Sequence, residues 1–204
     1  MPEPFQQPRD HVNKPGMLFG VTVVELSDET AEYSGLLLAG MGAKVLKIEP
    51  PGGCSSRRLP PFQNDVEDPE KSLFFWAYNR GKRSIVLDLE GEEGRCALLR
   101  ILSEADVLLE ATAGKFEKIL GMNRQALLTK YPGLIVARMT PFGDEGPWKD
   151  FRASDLIHMA LGGVMSNCGY DPDLNGNYDV PPISPQFWQS YHIAGEQLVV
   201  GELP

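Results

Sequence analysis

The chain is short of basic residues, because 19 Lys and Arg stand against 28 Asp and Glu in 204 residues, giving a formal net charge of -9. Nucleic acids and anionic membranes are bound through broad positive surfaces, so this balance argues against both as partners. No apolar run approaches the roughly 18 residues of a membrane span. The first residues lack the basic end and apolar core of a signal peptide. We therefore predict a cytoplasmic protein.

Cysteine is also scarce, with Cys54, Cys96 and Cys168 far apart. An odd, widely spaced set gives neither a disulfide framework nor a metal site, and it suits a reducing compartment. We predict no metal, and Cys168 is interpreted as an inert packing residue because no basic partner lies near it in sequence. His158 and His192, each in a predicted helix, are interpreted as packed residues as well.

What is present is an alternation of strands and helices. We predict a strand over residues 18–26, a helix over 30–41 that Ser27 caps and Gly42 ends, and a strand over 44–48. A loop over 50–72 follows, then strands over 84–87, 105–109 and 134–139 and helices over 92–104, 124–130, 154–166 and from about 186. The pattern predicts a Rossmann-like α/β fold, an open parallel sheet with helices on both faces.

The first strand–helix turn lacks the Gly-x-Gly-x-x-Gly fingerprint of dinucleotide-binding folds. It carries Asp28 and Glu29 instead. Acids at a helix start would repel a pyrophosphate placed there. Both features argue against NAD in the usual position.

A basic turn, Arg80 to Arg83, precedes the apolar strand over residues 84–87. Gly81 lets a backbone approach a ligand closely, and Arg80, Lys82 and Arg83 can offer charge-assisted hydrogen bonds to phosphate. The alternative is a solvated loop that is basic by chance. In an acidic chain, such a turn is a candidate phosphate site.

Several segments together resemble the class III CoA-transferases, the family that includes formyl-CoA transferase, carnitine CoA-transferase and α-methylacyl-CoA racemase. The similar segments are residues 35–52, 79–89, 105–110, 131–147, 155–157 and 162–165. They occur in the family's order with similar spacing across residues 20–200. The resemblance implies the N-terminal part of that family's large, Rossmann-like domain. We expect a flexible arm over residues 1–16 and a CoA-binding domain over 17–204, with the family's smaller second domain absent.

The activity that the resemblance implies is transfer of CoA between an acyl-CoA and a carboxylic acid, through a covalent aspartyl intermediate. CoA and acyl-CoA are substrates, and no tightly bound cofactor is expected. The implied CoA contacts are Tyr78, Asn79, Arg80, Gly81, Lys82, Arg83, Arg58, Thr140, Pro141, Phe142 and Gly143. Ala111 and Thr112 depart from the family's asparagine and aromatic beside CoA, and Pro50 stands where some members carry a cation.

The family's nucleophile lies in a Gly-x-x-Asp-x-Pro-Pro context, and here the corresponding stretch is longer. Anchoring on Pro181 and Pro182 selects Asp179, whereas anchoring on Gly169 selects Asp171 or, less readily, Asp173. We favour Asp179, because two prolines fix the direction of the preceding backbone. The alternative is a surface loop that these acids solvate.

Three further alternatives stay open. The chain could be a non-catalytic CoA-binding or partner subunit, or a truncated product; we expect it to pair as a homodimer or with a companion chain. Racemase activity is disfavoured, because Ser154 and Asp155 replace the His-Asp pair of that branch. A nucleotide-binding oxidoreductase is disfavoured by the missing glycine fingerprint.

Overall fold

The computed structural model describes residues 16–112 and 115–202. The strands in this part are β1 (Thr22–Leu26), β2 (Lys44–Glu49), β3 (Arg83–Val86), β4 (Val107–Glu110) and β5 (Ile135–Arg138). The helices are α1 (Glu32–Gly40), α2 (Leu73–Asn79), α3 (Glu92–Leu102), α4 (Phe116–Leu120), α5 (Arg124–Lys130), α6 (Asp155–Leu161) and α7 (Gln189–Glu202). The predicted arm, apart from residue 16, lies outside the described residues.

The five strands form one parallel sheet in the order β3-β2-β1-β4-β5. The predicted α/β fold is therefore confirmed. β1 and β4 are neighbours in this order. The connections run from β1 to β2 and β3 on one side and from β4 to β5 on the other, so the order reverses between β1 and β4. Ligands of open parallel sheets bind outside the carboxyl ends of the strands at such a switch point.

Helices cover both faces of the sheet, as predicted. On one face α3, α4 and α5 pack on alternate strand residues such as Val24 and Leu108. On the other face α1 and α7 cover Val23, Val45 and Leu109. The alternation follows from the period of two in a strand. Because both faces are covered, the central strands are buried on both sides.

The first β-α-β unit has the predicted order but a different helix start. Ser27 does not cap α1, because its hydroxyl donates to Glu25 Oε1 at 2.8 Å. The N-cap position belongs to Ala31, which makes no side-chain capping bond. The helix therefore begins later than predicted, after a loop over residues 27–31. Gly42 follows the helix end with a φ of 101°, as a glycine stop requires.

Two other predictions need correction. Residues 73–79, which had no predicted structure, form α2, whose start Ser72 caps by accepting the Phe75 N–H at 3.1 Å. The helix predicted over 154–166 ends at Leu161, because Gly163 takes a left-handed φ of 77° and a short 3₁₀ turn follows. Among the described residues, no helix is long and apolar enough to cross a membrane.

Candidate functional site

A cleft of about 1160 Å³ lies at the carboxyl ends of β1, β4 and β5, at the switch point of the sheet. The loop after β1 supplies Asp28, Glu29 and Thr30 to its wall, and the loop after β5 supplies Thr140, Pro141 and Gly143. Helices α6 and α7 close the remaining side. The position is the one that an open parallel sheet offers to a ligand.

Arg138, the last residue of β5, lines this cleft. Its Nε lies 2.9 Å from Glu110 Oε2, and its Nη1 lies 3.4 Å from Glu117 and 3.2 Å from Asp144. Glu110 is buried, and burial raises its pKa above the ordinary value against the opposing effects of Thr112 and Arg138. The guanidinium is thus fixed by one buried acid and held loosely by two half-exposed ones.

His158 in α6, which the sequence predicts to be a packed residue, is half-buried and also lines the cleft. Its Nε2 lies 3.0 Å from the carbonyl oxygen of Pro141. A carbonyl only accepts, so Nε2 carries the proton. The Phe142 ring packs 5.4 Å from the imidazole, centroid to centroid. His158 therefore anchors the loop that contains Thr140 to Gly143.

Beneath the loop after β1 lies a buried charge network. Lys47 Nζ contacts Glu25 Oε1 at 3.0 Å, Glu32 Oε1 at 2.9 Å and the carbonyl oxygen of Ser27 at 2.8 Å. The side chains of Lys47, Glu25 and Glu32 are fully shielded from solvent. Burial alone would lower the pKa of Lys47, but Glu25 and Glu32 outweigh it and hold the pKa above its ordinary value. The ammonium therefore stays charged.

The network extends to the basic turn through Lys82, whose Nζ lies 2.8 Å from Glu25 Oε2 and 2.8 Å from the Glu32 carbonyl oxygen. Its side chain is buried, and Asn79 Oδ1 is a further acceptor. Lys82 is therefore not available to a phosphate, which corrects the expectation drawn from the sequence. Gly35 makes room for this pair, since a Cβ there would lie 1.8 Å from Glu25 Oε2.

The other residues of the turn differ in exposure. Arg80 and Arg83 are exposed, whereas Asn79 is buried and donates to the Phe75 carbonyl oxygen. Tyr78 is half-buried, and its hydroxyl shares a 2.7 Å hydrogen bond with His192 Nε2 of α7. Arg58 is exposed and donates to the carbonyl oxygen of Gly52 at 3.0 Å.

The structure does not bring the two predicted CoA-binding loops together. The turn before β3 lies at the amino end of one edge strand, whereas Thr140 to Gly143 follow the carboxyl end of the opposite edge strand, β5. Four strand spacings of about 4.8 Å separate these edges. Of the two loops, the one containing Thr140 to Gly143 reaches the switch-point cleft.

The loop with the candidate nucleophiles begins at Gly169, which packs near Ile183 where the loop returns. Asp173 closes its tip, because Oδ1 accepts the N–H groups of Asn175 and Asn177 at 2.9 and 2.8 Å. These bonds lower the pKa of the Asp173 carboxyl and occupy it. Asp171 and Asp179 are exposed and contribute nothing to the cleft lining.

Cys54 is the buried thiol of the chain, with Ser56 Oγ at 3.1 Å. Burial raises its pKa to about 11, so the thiol stays protonated and unreactive at neutral pH. Cys168 is partly buried. Within residues 16–112 and 115–202, no three His, Cys, Asp or Glu side chains group as a metal site would require.

Sequence reasoning missed Lys47, Glu25 and Arg138. Their signal was available, because a charged residue inside an otherwise apolar, doubly covered strand needs a buried partner. Glu25 and Lys47 lie in such strands and are direct register neighbours in the sheet. Which partner each one finds depends on strand order, and that is not readable locally.

Comparisons with known proteins agree with this architecture. The family model described as CoA-transferase family III matches residues 18–203. Succinate–glutarate CoA-transferase of Agrobacterium fabrum is 37% identical over 168 residues, covering 80% of this chain and 42% of that protein. Subunit BbsE of succinyl-CoA:(R)-benzylsuccinate CoA-transferase from Thauera aromatica is 32% identical over 179 residues, covering 88% and 42%.

A solved structure extends the likeness to three dimensions. The crystal structure of a CaiB/BaiF family protein from Brucella suis superposes with a TM-score of 0.80 at 30% identity, covering 93% of this chain and 48% of that one. The chain thus spans less than half the length of each of these proteins. Sequence, family model and fold converge, and the chain belongs to CoA-transferase family III.

Proposed function

We propose that this chain takes part in the transfer of CoA from an acyl-CoA to a carboxylic acid, with both as its small-molecule substrates and no tightly bound cofactor. The observation that carries the proposal is the family match over residues 18–203, together with a cleft at the switch point of the sheet. The relatives named above act on succinate, glutarate and benzylsuccinate, which supports a carboxylic acid as acceptor.

The acyl-CoA is proposed to lie along the switch-point cleft, against Thr140, Pro141 and Gly143, with Phe142 packed behind them on His158. In this loop the Gly143 N–H donates to Thr140 Oγ1 at 2.8 Å and Pro141 has no N–H, so the proposal assigns the oxyanion on the thioester carbon to the remaining backbone N–H groups. Arg80, Arg83 and Arg58 are exposed cations and stay candidate contacts for the CoA phosphates. Tyr78, Asn79 and Gly81 belong to the same proposal, from which Lys82 is removed.

Asp179 is proposed as the nucleophile. It does not line the cleft in this structure, so the proposal requires its loop to approach the thioester when acyl-CoA binds. Its carboxylate attacks the thioester carbonyl, forming a mixed anhydride and releasing CoA as a thiolate. The thiolate then attacks the aspartyl carbonyl, which forms an aspartyl-CoA thioester and releases the first acid. The acceptor carboxylate attacks that thioester in turn, and the returning thiolate cleaves the second anhydride to give the new acyl-CoA and free Asp179.

The shape of the loop favours Asp179 over Asp171. Residues 173–177 form a turn that is closed by hydrogen bonds to Asp173, so the loop tip is held by contacts within itself. If residues 171–177 are taken out, the remaining sequence has the Gly-x-x-Asp-x-Pro-Pro spacing, with Asp179 as its aspartate. Asp173 is occupied by its own turn.

The test uses intact-mass spectrometry after incubation with several acyl-CoAs. Asp179→Asn should bind CoA but form no hydroxylamine-sensitive adduct, whereas Asp171→Asn and a variant lacking residues 171–177 should still form one. An adduct that persists in Asp179→Asn and disappears in Asp171→Asn moves the nucleophile to Asp171. No adduct on the unmodified chain with any acyl-CoA contradicts catalysis by this chain alone.

We further propose that the chain works as a homodimer or with a companion chain. BbsE is named as one subunit of its enzyme, which supports a multi-chain form. Leu156 and Leu161 on α6 and Val200 on α7 are exposed apolar residues, which an assembly could cover. Analytical ultracentrifugation, alone and with added acyl-CoA, tests this; a monomer under all conditions contradicts the homodimer.

A further inference from the structure

The ammonium of Lys47 joins both ends of one cleft-lining loop. Its three contacts are Glu25 just before the loop, the Ser27 carbonyl at its start and Glu32 just after it. An ammonium has three N–H donors, so all of them are used. Between these ends lie Asp28, Glu29 and Thr30, which form the cleft wall at the end of β1.

This arrangement is a poor way to gain stability. Removing charges from water costs several kcal/mol per ion, and well-packed apolar residues often serve as well or better. On the sheet face that carries Lys47 and Glu25, the neighbouring residues of the same two strands, Val45 and Val23, are apolar. What the charged groups add is direction, because hydrogen bonds to an ammonium fix where each acceptor lies.

A second set of contacts ties the same loop to the 3₁₀ turn that follows β2. Ser56 Oγ donates to Glu32 Oε1 at 2.6 Å, and both side chains are buried. Ser55 Oγ donates to Glu29 Oε2. The loop after β1 is therefore held from below by Lys47 and from one side by two hydroxyls.

We propose that Lys47 is a positioning residue, which holds the Asp28–Thr30 wall in the shape that receives acyl-CoA. The inference rests on the proposed function, since it assigns the cleft to that ligand. Lys47 itself is fully buried and does not line the cleft. Its effect on binding passes through Ser27 and Glu32.

The test compares Lys47→Met with Leu98→Ala, at a temperature where circular dichroism shows both variants folded. Methionine keeps the length of the side chain and removes the ammonium. Leu98 is a fully buried residue of α3, on the opposite face of the sheet, so its truncation destabilises the protein away from the cleft. We expect Lys47→Met to raise the Kd for CoA in calorimetry by about tenfold, because the wall would be competent only part of the time. Leu98→Ala should leave that Kd within about twofold of the wild type.

Hydrogen exchange supplies a readout that needs no ligand. The amides of Thr30, Ala31 and Glu32 are bonded to Asp28, and they should exchange faster in Lys47→Met than in Leu98→Ala. Ser56→Ala removes one hydrogen bond to Glu32, together with the contact to Cys54 Sγ, and leaves the buried ammonium of Lys47 in place. Its exchange and Kd should lie between those of the wild type and Lys47→Met.

Each failure has its own pattern. If the wild type binds no CoA but the loop amides exchange faster in Lys47→Met, the proposed ligand is wrong and the role of Lys47 in positioning the loop is supported. Equal Kd values and equal loop exchange in Lys47→Met and Leu98→Ala overturn the inference itself. Faster exchange without a change in Kd also overturns it, because the wall would then not govern binding.

Discussion

The two faces of the sheet are built from different chemistry. Under α3, α4 and α5 the interface is apolar, with Val24, Leu98 and Leu108 fully buried. Under α1, neighbouring strands β1 and β2 carry Glu25 and Lys47 beside the apolar Val23 and Val45, and the two charged side chains are equally buried. Both faces gain free energy from apolar area removed from water, since Val23, Val45 and Leu109 are buried on the second face, but this second face also carries buried charges that cost free energy to desolvate.

The apolar face contributes mainly to stability, whereas the buried charges fix the position of the backbone. Apolar contacts are non-directional and tolerate small shifts, so the face under α3 can hold the fold without fixing any one atom. The charged face borders the loop after β1, which lines the cleft. The directional contacts therefore lie next to a loop whose position shapes the cleft, whereas the apolar contacts under α3 lie on the other face of the sheet.

The largest expected effect comes from Gly35→Ala, which would break the comparison on its charged side. The added Cβ would lie 1.8 Å from Glu25 Oε2 and 2.9 Å from Lys82 Nζ, so the ion pair must separate. Breaking a buried pair costs up to about 5 kcal/mol. Denaturant unfolding measures this loss. Gly40→Ala in the same helix meets no neighbour and should be neutral or stabilising; equal effects of the two would contradict the account.

Leu98→Ala tests the apolar side. Truncating a fully buried leucine should lower the free energy of unfolding by about 4 kcal/mol, from lost burial and the cavity left behind. The urea midpoint should fall with an unchanged m-value. A cost below that of an exposed control, Leu156→Ala, would show that this face does not carry the stability assigned to it.

Glu49→Gln tests, through the pH dependence of stability, how much a buried carboxylate of β2 contributes. Burial alone would raise the pKa of Glu49, but bonds from Arg57, Ser84 and the Cys54 N–H outweigh it and bring the pKa to about 2. A lowered folded pKa stabilises the protein above the ordinary value of 4.5, and this contribution disappears as pH falls toward 2. At pH 7 the free energy of unfolding of the wild type should exceed that of Glu49→Gln by about 3 kcal/mol, since one pKa unit corresponds to about 1.4 kcal/mol.

Thermal or urea unfolding across pH 7 to 2 checks this expectation, and the two curves should converge as pH falls. The control, Glu67→Gln, replaces an exposed carboxylate and should follow the wild type throughout. A constant gap between wild type and Glu49→Gln at every pH would mean that the carboxylate charge is not what stabilises this site.

The smallest effect is expected for Tyr131→Phe, which removes one hydrogen bond from the apolar face under α3. The Tyr131 hydroxyl donates to the Leu99 carbonyl oxygen at 2.8 Å. Its loss should cost about 1 kcal/mol, the net value of an ordinary hydrogen bond. Urea unfolding measures it. A loss as large as that of Gly35→Ala would show that the apolar face also depends on directional contacts.

Much of the fold was predictable because it depends on residues close in sequence. The spacing of apolar residues predicted α5 over residues 124–130 without error, and the alternation of elements predicted the parallel sheet. The start of α1 was not, because Ser27 bonds to Glu25 instead of capping the helix. Helix α2 was not predicted, although Ser72, a capping residue before an apolar stretch, is a sequence signal for its start.

The candidate site was less predictable. The motif over residues 80–83 indicated three cations for a phosphate, yet Lys82 turns inward to Glu25 and leaves Arg80 and Arg83 exposed. Nothing in the local sequence distinguishes these three side chains. Their separation follows from the position of β2 and β1 beside β3, which puts Glu25 within reach of Lys82.

By itself, the sequence determined the class of fold, the order of most elements and the resemblance to the family that the chain proved to belong to. Fold class, element order and family resemblance depend on periodicity and on motifs, which involve residues close together in sequence. Only the tertiary structure decided that Lys47 and Lys82 are buried partners of Glu25, and that Thr140 to Gly143, unlike the basic turn, reach the cleft. The physical reason is that burial and pairing of charges depend on which strands become neighbours, and that order is fixed by the packing of the whole sheet.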